Sequence, residues 1–251
     1  MIKDALEFIV GLQGGFQTLE EKGRKFLFDN KGNLKHEFKN NYQDELFTST
    51  LSSIVDYFAG DPDKVFDRDK KYIIRIINPE KVFVESAVSG EMVRDELLFV
   101  NAFTPERFPY DKYMDLELFN IYLQSRFEPT EDREKLLALT ANVVDETVKS
   151  YGDNGISQSA TVKSGVTSVA NVIVPNPVTL RPFRTFSEAE QPESKFVFRL
   201  RKDDGGVTAT LIEADGGAWK VQAMQNIAAY LESHLFKVLT EEQMNRITIL
   251  S

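Results

Sequence analysis

The sequence predicts an α+β fold, with antiparallel hairpins forming one or two sheets and four to five amphipathic helices packed against them. Three observations carry this expectation. Strand-like and helix-like segments arrive in blocks rather than in strict alternation. Residues 195–213 alternate as a hairpin around a Gly-rich turn, and residues 218–238 repeat apolar side chains at helical spacing.

Along the chain, Ile2, Ala5, Leu6 and Ile9 follow a helical stripe that Gly11, Gly14 and Gly15 interrupt. Arg24–Phe28 and Leu34–Phe38 read as a hairpin across Asp29-Asn30-Lys31-Gly32-Asn33, residues that tolerate left-handed backbone. Phe47, Leu51, Ile54, Val55 and Phe58 predict a second helix, closed by Gly60 and Pro62. Tyr72–Ile77 and Lys81–Glu85 follow as β-branched and aromatic runs about Asn78-Pro79-Glu80, with a further strand near Glu96–Phe103. The first of these is apolar on both faces, which places it inside a sheet rather than at an edge.

Pro105 to Asp111 then punctuates the chain. Helices are expected around Asp115–Phe127 and after Pro129-Thr130, the second with Leu136, Thr140 and Val143 on one face. Strands follow from Val144, with Gly152-Asp153-Asn154-Gly155 as a turn and prolines at 175, 177, 182 and 192 marking strand boundaries. Phe196, Phe198 and Leu200 alternate with Lys195, Arg199 and Arg201, and Lys202–Gly206 turns this strand into Val207–Glu213. In the helix from about Ala218 to Val238 the stripe is Met224, Ile227, Leu231, Leu235 and Val238. Thr240–Gln243 starts a short turn or helix, and Arg246–Ser251 has strand character at the chain end. No repeat or long linker appears, so residues 1–251 are expected to form one compact unit, with 1–108 and 112–251 as alternative lobes.

Composition narrows the chemistry. Apolar residues make up 42% and charged residues 27%, the balance of an ordinary globular chain. Zero cysteines excludes disulfides, thiolate nucleophiles and thiolate-bound metal. A net charge of -9 disfavours broad contact with phosphate backbones, which is driven by clustered Lys and Arg. No run approaches the roughly 18 apolar residues of a spanning helix, and the acids Asp4 and Glu7 do not suit a signal peptide, so a cytoplasmic location is expected. The 19 Phe suit cores and protein interfaces, because Phe brings burial without a polar group.

Motifs for catalysis are sparse. His36 and His234, the two histidines, lie far apart in sequence without metal-ligand spacing. The acids Asp61, Asp63, Asp67 and Asp69 lack calcium-loop spacing, and Pro62 stiffens that segment. Glu193-Ser194-Lys195 has the Glu-x-Lys pattern of metal-dependent nucleases but no acid on a preceding strand. Glu213-Ala214-Asp215-Gly216-Gly217 reads as helix entry and capping rather than a phosphate cradle. No catalytic residue, metal site or cofactor is expected.

One local charge pattern stands apart. Arg181, Arg184, Lys195, Arg199, Arg201 and Lys202 cluster in sequence, with Phe183 and Phe186 among them, as a patch for phosphate or an acidic partner; the competing reading is a solvated strand face.

The chain resembles the YfdQ family of phage and prophage proteins. The resemblance rests on Glu131-Asp132-Arg133, the Tyr151–Gly155 turn, Val174-Pro175-Asn176-Pro177-Val178, Arg184-Thr185-Phe186, Glu190-Gln191-Pro192-Glu193-Ser194 and Glu213-Ala214-Asp215-Gly216-Gly217-Ala218-Trp219. It is strongest over residues 131–236 and loose over 1–110. It implies a phage or prophage origin and action in the bacterial host cytoplasm, and it transfers no catalytic residue. The expected function is a non-enzymatic accessory protein acting by self-association or by binding a host or phage protein, including one of host defence. A nucleic-acid accessory factor in phage replication or recombination and a carboxylate-based, magnesium-dependent phosphodiesterase are the alternatives. A homo-oligomer is expected, with Ile2, Leu6 and Ile9 at one chain end and Ile247, Ile249 and Leu250 at the other as its contacts.

Overall fold

The computed structural model describes residues 17–21, 24–29, 31–38, 45–88, 94–143, 158–163 and 169–251. The expected N-terminal helix with Ile2, Leu6 and Ile9, and the turn at residues 152–155, lie outside them. The chain divides into two compact units, Met1–Asp44 and Glu45–Ser251.

In the first unit, β1 (Gln17–Glu21), β2 (Arg24–Phe28) and β3 (Leu34–Phe38) form an antiparallel three-stranded sheet. The expected hairpin is β2 and β3, and β1 is an addition to it. Its turn is held by the Asp29 carboxylate, whose Oδ1 accepts from the backbone N–H of Lys31 and of Asn33 at 2.9 Å. Gly32 takes φ 76°, the left-handed backbone the turn needs.

The second unit is α+β, as expected, but its described strands form three separate sheets and not every pairing is antiparallel. β4 (Leu46–Thr48), β5 (Tyr72–Asn78), β6 (Lys81–Ser86) and β7 (Glu96–Asn101) join a C-terminal strand, β14 (Ile247–Leu250), in a five-stranded sheet ordered β14-β5-β6-β7-β4. Its two edge strands run parallel to their neighbours: β14 to β5, and β4 to β7. α1 (Ser52–Gly60) lies on one face together with the long α4 (Ala218–Val238). Between them sits a core that includes Leu51, Ile54, Phe58, Ile74, Val84, Val100, Ile227 and Leu231.

Between β7 and α4, the chain builds a second core. β8 (Met114–Asp115), α2 (Leu116–Arg126) and α3 (Glu131–Asn142) precede a two-stranded ribbon of β9 (Ser159–Lys163) and β10 (Val169–Ile173). β11 (Val178–Leu180), β12 (Ser194–Asp203) and β13 (Gly206–Glu213) then complete a sheet ordered β11-β12-β13-β8. Phe119, Leu123 and Phe127 of this region pack against Phe196, Phe198 and Leu200. The helix starts are chemically marked: the Asp115 side chain accepts from Leu118 N, and that of Thr130 from Arg133 N. Arg133, buried, donates to the carbonyls of Leu123 and Gln124, capping the end of α2, while Asp132 accepts from Thr179 N and pins β11. Beyond β11, the Gln158 amide takes a strand's place on the edge of β12, donating to Leu200 O at 2.6 Å and accepting from Leu200 N at 3.0 Å.

Three expectations change. Phe47 is not on a helix but in β4, paired with Phe99, and α1 begins five residues later. The i, i+4 spacing of Phe47 and Leu51 comes from a strand entering a helix, with Leu51 at the N-cap. β5 is internal as expected, yet only Tyr72, Ile74 and Ile76 are buried, while Ile73, Arg75 and Ile77 face a more open side. Along α4 the buried stripe is Trp219, Ala223, Ile227, Leu231 and Leu235, and Val238 is exposed.

The C-terminal tail also folds differently from the role assigned to it. After α5 (Glu241–Met244), closed by a Thr240–Gln243 capping box, Ile247 and Ile249 turn inward against the first core. They are therefore not free for contacts between copies. Of the three tail residues proposed for such contacts, Leu250 is the one that points away from the core, 47% exposed. Arg246 anchors the strand by donating to the backbone carbonyls of Val65, Phe66, Arg68 and Lys70. Arg246→Ala removes the donor these carbonyls share, although Val65 O keeps the Tyr72 hydroxyl, and should lower unfolding free energy by about 2–3 kcal/mol. Urea denaturation measures this; an unchanged midpoint would show that the tail is not held by Arg246.

Candidate functional site

The six basic residues proposed as a patch do not form one surface, although Arg181 and Lys195 line the same cavity. β12 carries Lys195, Arg199 and Arg201 on alternate, outward positions, so Lys195 and Arg201 stand roughly 20 Å apart along the strand. Arg201 lies over the Tyr113 ring at 4.1 Å, and Lys202 is exposed beside it. Arg181 is shared among three carboxylates, with Glu193 at 2.8 Å, Glu190 at 3.5 Å and Glu128 at 3.8 Å. Arg184 is 3% exposed and faces inward, so it belongs to no surface patch.

Arg184 instead centres a buried network. Its Nη1 meets Glu213 Oε1 at 2.6 Å, its Nη2 donates to Ser194 Oγ, and its guanidinium lies 3.9 Å over the Trp219 ring. Ser194 Oγ in turn donates to Asp215 Oδ2 at 2.6 Å, and Asp215 Oδ1 accepts from Gly217 N at 2.9 Å. Gly216 and Gly217, at φ 63° and 83°, turn the chain from this carboxylate into α4. Burial lowers the guanidinium pKa of Arg184, against the pull of Glu213 and Asp215. Burial pushes Asp215 upward, yet the hydrogen bonds from Ser194 and Gly217 and the charge of Arg184 hold its carboxyl below the usual carboxylate value. The segments around Arg184, Ser194 and Glu213–Trp219 thus meet at one place. Above it opens a cavity of about 580 Å³, lined among others by Arg181, Glu193, Lys195, Trp219, Gln222 and Asn226.

Other candidate groups have structural duties. Asp61 accepts from Val65 N at 2.5 Å, and Asp63 from the Tyr57 hydroxyl at 3.0 Å, so these acids of the loop after α1 fold it. His234 stacks on Tyr230 with ring centroids 4.0 Å apart. The side chain of His36 lies outside the described residues. Among the described residues no group of three or more His, Asp or Glu side chains is placed to hold a metal ion, and no helix is long and apolar enough to cross a membrane.

The surface that invites a partner is the outer face of the five-stranded sheet. Strand register aligns Phe47 of β4, Phe99 of β7, Phe83 of β6, Arg75 of β5 and Leu250 of β14 in a single row across all five strands. Phe83 and Phe99 stack with centroids 4.5 Å apart, Phe47 meets Phe99 edge-on at 5.5 Å, and the Arg75 guanidinium stands 5.4 Å from the Phe83 ring. Phe47 is 69% exposed. On this face Glu85, itself buried, pairs with Arg75 at 2.5 Å and lies 3.9 Å from Arg94, and Glu96, in register with Glu85, lies beside Glu45. Sequence reading missed the row because its members come from five strands whose registers no local pattern reveals. The alternation in Lys81-Val82-Phe83-Val84 was the available signal.

Two outcomes follow for the buried network. Arg184→Ala empties the buried space under the Trp219 ring while Glu213, 40% exposed, stays solvated, and should cost about 2–3 kcal/mol, read by chemical denaturation; a loss under ~1 kcal/mol would mean that water replaces the guanidinium. Since the Asp215 pKa is lowered on folding, its contribution is present above the ordinary carboxylate range and fades as pH falls through the folded value. Asp215→Asn should therefore flatten the acid limb of a stability-against-pH curve, and a limb identical to that of the unaltered protein would contradict this.

No family model, curated protein or solved structure matches the chain.

Proposed function

We propose that the chain is a phage or prophage accessory protein that works in the bacterial host cytoplasm without catalysis, by binding protein through the outer face of its five-stranded sheet. The observation that carries this reading is the row of Phe47, Phe83 and Phe99. It places exposed and half-buried aromatic area on a sheet face whose inner side is already filled by α1 and α4. An aromatic patch of this kind gains free energy when a partner removes it from water. Phage origin is what the YfdQ resemblance of residues 131–236 implies.

The chemistry of the face favours protein over nucleic acid. Phe83 and Phe99 already use ring faces on one another, and Arg75 is paired with Glu85. A single strand of nucleic acid needs free ring faces for its bases and unpaired cations for its phosphates. The basic residues of β12 lie on a different sheet and are spread along its length.

Affinity capture from infected or lysogenic cells, with mass spectrometry and nucleic-acid recovery, tests the reading. The expected result is a protein, including an untagged copy of this chain, that is retained by the natural sequence and lost with Phe47→Glu. Phe47 is exposed, so the substitution should leave the fold intact. Equal recovery with both sequences would remove the sheet face from the argument, and nuclease-sensitive recovery of stoichiometric nucleic acid would replace this reading with a nucleic-acid one.

A further inference from the structure

We infer that the occupant of this face is a second copy of the same chain, docked face to face about a two-fold axis that passes over Phe83. The inference deepens the protein-binding reading given above and rests on it.

The order of side chains in the row carries the argument. From one sheet edge to the other it runs Phe47, Phe99, Phe83, Arg75, Leu250, so Phe83 stands at its middle. An isologous interface requires one patch to fit itself after a two-fold rotation. Take the axis parallel to the strands, midway between two stacked sheets. Rotation then exchanges the two ends of the row, so Phe83 meets its own copy, Phe99 meets Arg75 of the second copy, and Phe47 meets Leu250. Each of these pairings is chemically favourable. Guanidinium against an aromatic ring gains cation–π attraction that strengthens as water leaves, an exposed Phe against an exposed Leu removes apolar surface from both chains, and paired Phe rings at a centre match the aromatic cores of stable interfaces.

Charge points the same way. Two chains each carrying a net -9 repel at long range, so the face that joins them has to set unlike charges against one another. On this face Glu85 is buried and faces both Arg75 and Arg94, which leaves the guanidinium side positive, while Glu96, in register with Glu85 and beside Glu45, puts acid on the aromatic side. Opposed copies therefore set the guanidinium side of one chain against the aromatic and acidic side of the other. The row spans roughly 19 Å between its outermost strands, and sheets stacked face to face lie about 10 Å apart, the separation at which inward side chains interlock.

The absence of cysteine makes the geometry directly testable. Light scattering on the purified full chain at tens of micromolar should give twice the 28.6 kDa of one chain. Phe47→Glu should weaken association at least tenfold while its melting curve stays within a degree or two of the unaltered protein. Phe83→Cys should join to its own copy with a short bis-maleimide linker. The Phe47→Cys, Leu250→Cys double variant should join between chains, and Phe236→Cys, on exposed α4, should not. A monomeric unaltered chain overturns the inference, as does a dimer that Phe236→Cys links and Phe83→Cys does not. Should Phe83→Cys fail to fold, the Phe47→Cys, Leu250→Cys variant decides alone, since neither residue is buried. A monomer in this experiment together with loss of a different protein from the Phe47→Glu capture separates a failed two-fold inference from a failed protein-binding reading.

Discussion

The burial of Arg184 is the constraint on which the second unit depends. A guanidinium with 3% of its surface exposed is tolerable only if its charge and its donors are met inside the protein. Glu213 at the end of β13, Ser194 at the start of β12 and Asp215 before α4 do this, and the Trp219 ring covers one face. Four pieces of chain are thereby fixed relative to one another. The three that follow Arg184 include the last strands of one core and the first turn of the helix that fills the other.

The loop containing Arg184 explains why the two cores behave as one unit. Residues 181–193 leave β11, place Phe186 and Ala189 in the first core, and return to β12 in the second. On the way, Thr185 donates to Pro79 O, Glu188 accepts from the N–H groups of Leu51 and Ser52 at the start of α1, and Glu190 O accepts from Asn226 of α4. α1 has no capping side chain of its own, so its N-terminus is completed by a residue 137 positions away in sequence. Gln191 ties the loop to itself through Arg184 N and Phe186 O. Prolines at 182 and 192 bracket a segment whose backbone polar groups are met by side chains and by distant carbonyls rather than by a ladder.

What could be read from sequence was whatever has a local cause. The β12–β13 hairpin followed from alternation and a Gly-rich turn, α2 and α3 from apolar spacing and the Pro129-Thr130 start, and α4 from a long stripe behind Gly216-Gly217. The larger failures depended on a partner far along the chain. Ile247 and Ile249 looked unsatisfied because β5, which accepts them in parallel, lies about 175 residues earlier. Phe47 satisfied a helical spacing by coincidence, and only its pairing with Phe99 places it on a strand. Arg184 looked like its exposed neighbours because basic side chains are usually solvated, and nothing adjacent announces that Glu213 and Asp215 will close over it. The segment at Pro105 to Asp111 does separate the first core from the second, but α4 and β14 return to the first, a crossing no composition shift could reveal.

The same long-range pairing that hid the outer row from the sequence makes it a firm surface. Phe47, Phe99, Phe83, Arg75 and Leu250 are held by backbone ladders on five strands, so their spacing is set by the sheet and little ordering entropy remains to be lost when a partner arrives. Both edges of that sheet are closed by parallel strands drawn from distant parts of the chain, and β14 is locked by the four carbonyls that Arg246 holds. Were the tail to come free, Leu250 would leave the row and Ile74 would lose its neighbour Ile249 in the same event. Integrity of the first core and completeness of the face are therefore coupled through one short strand, which makes the binding surface a property of the folded unit rather than of any local segment.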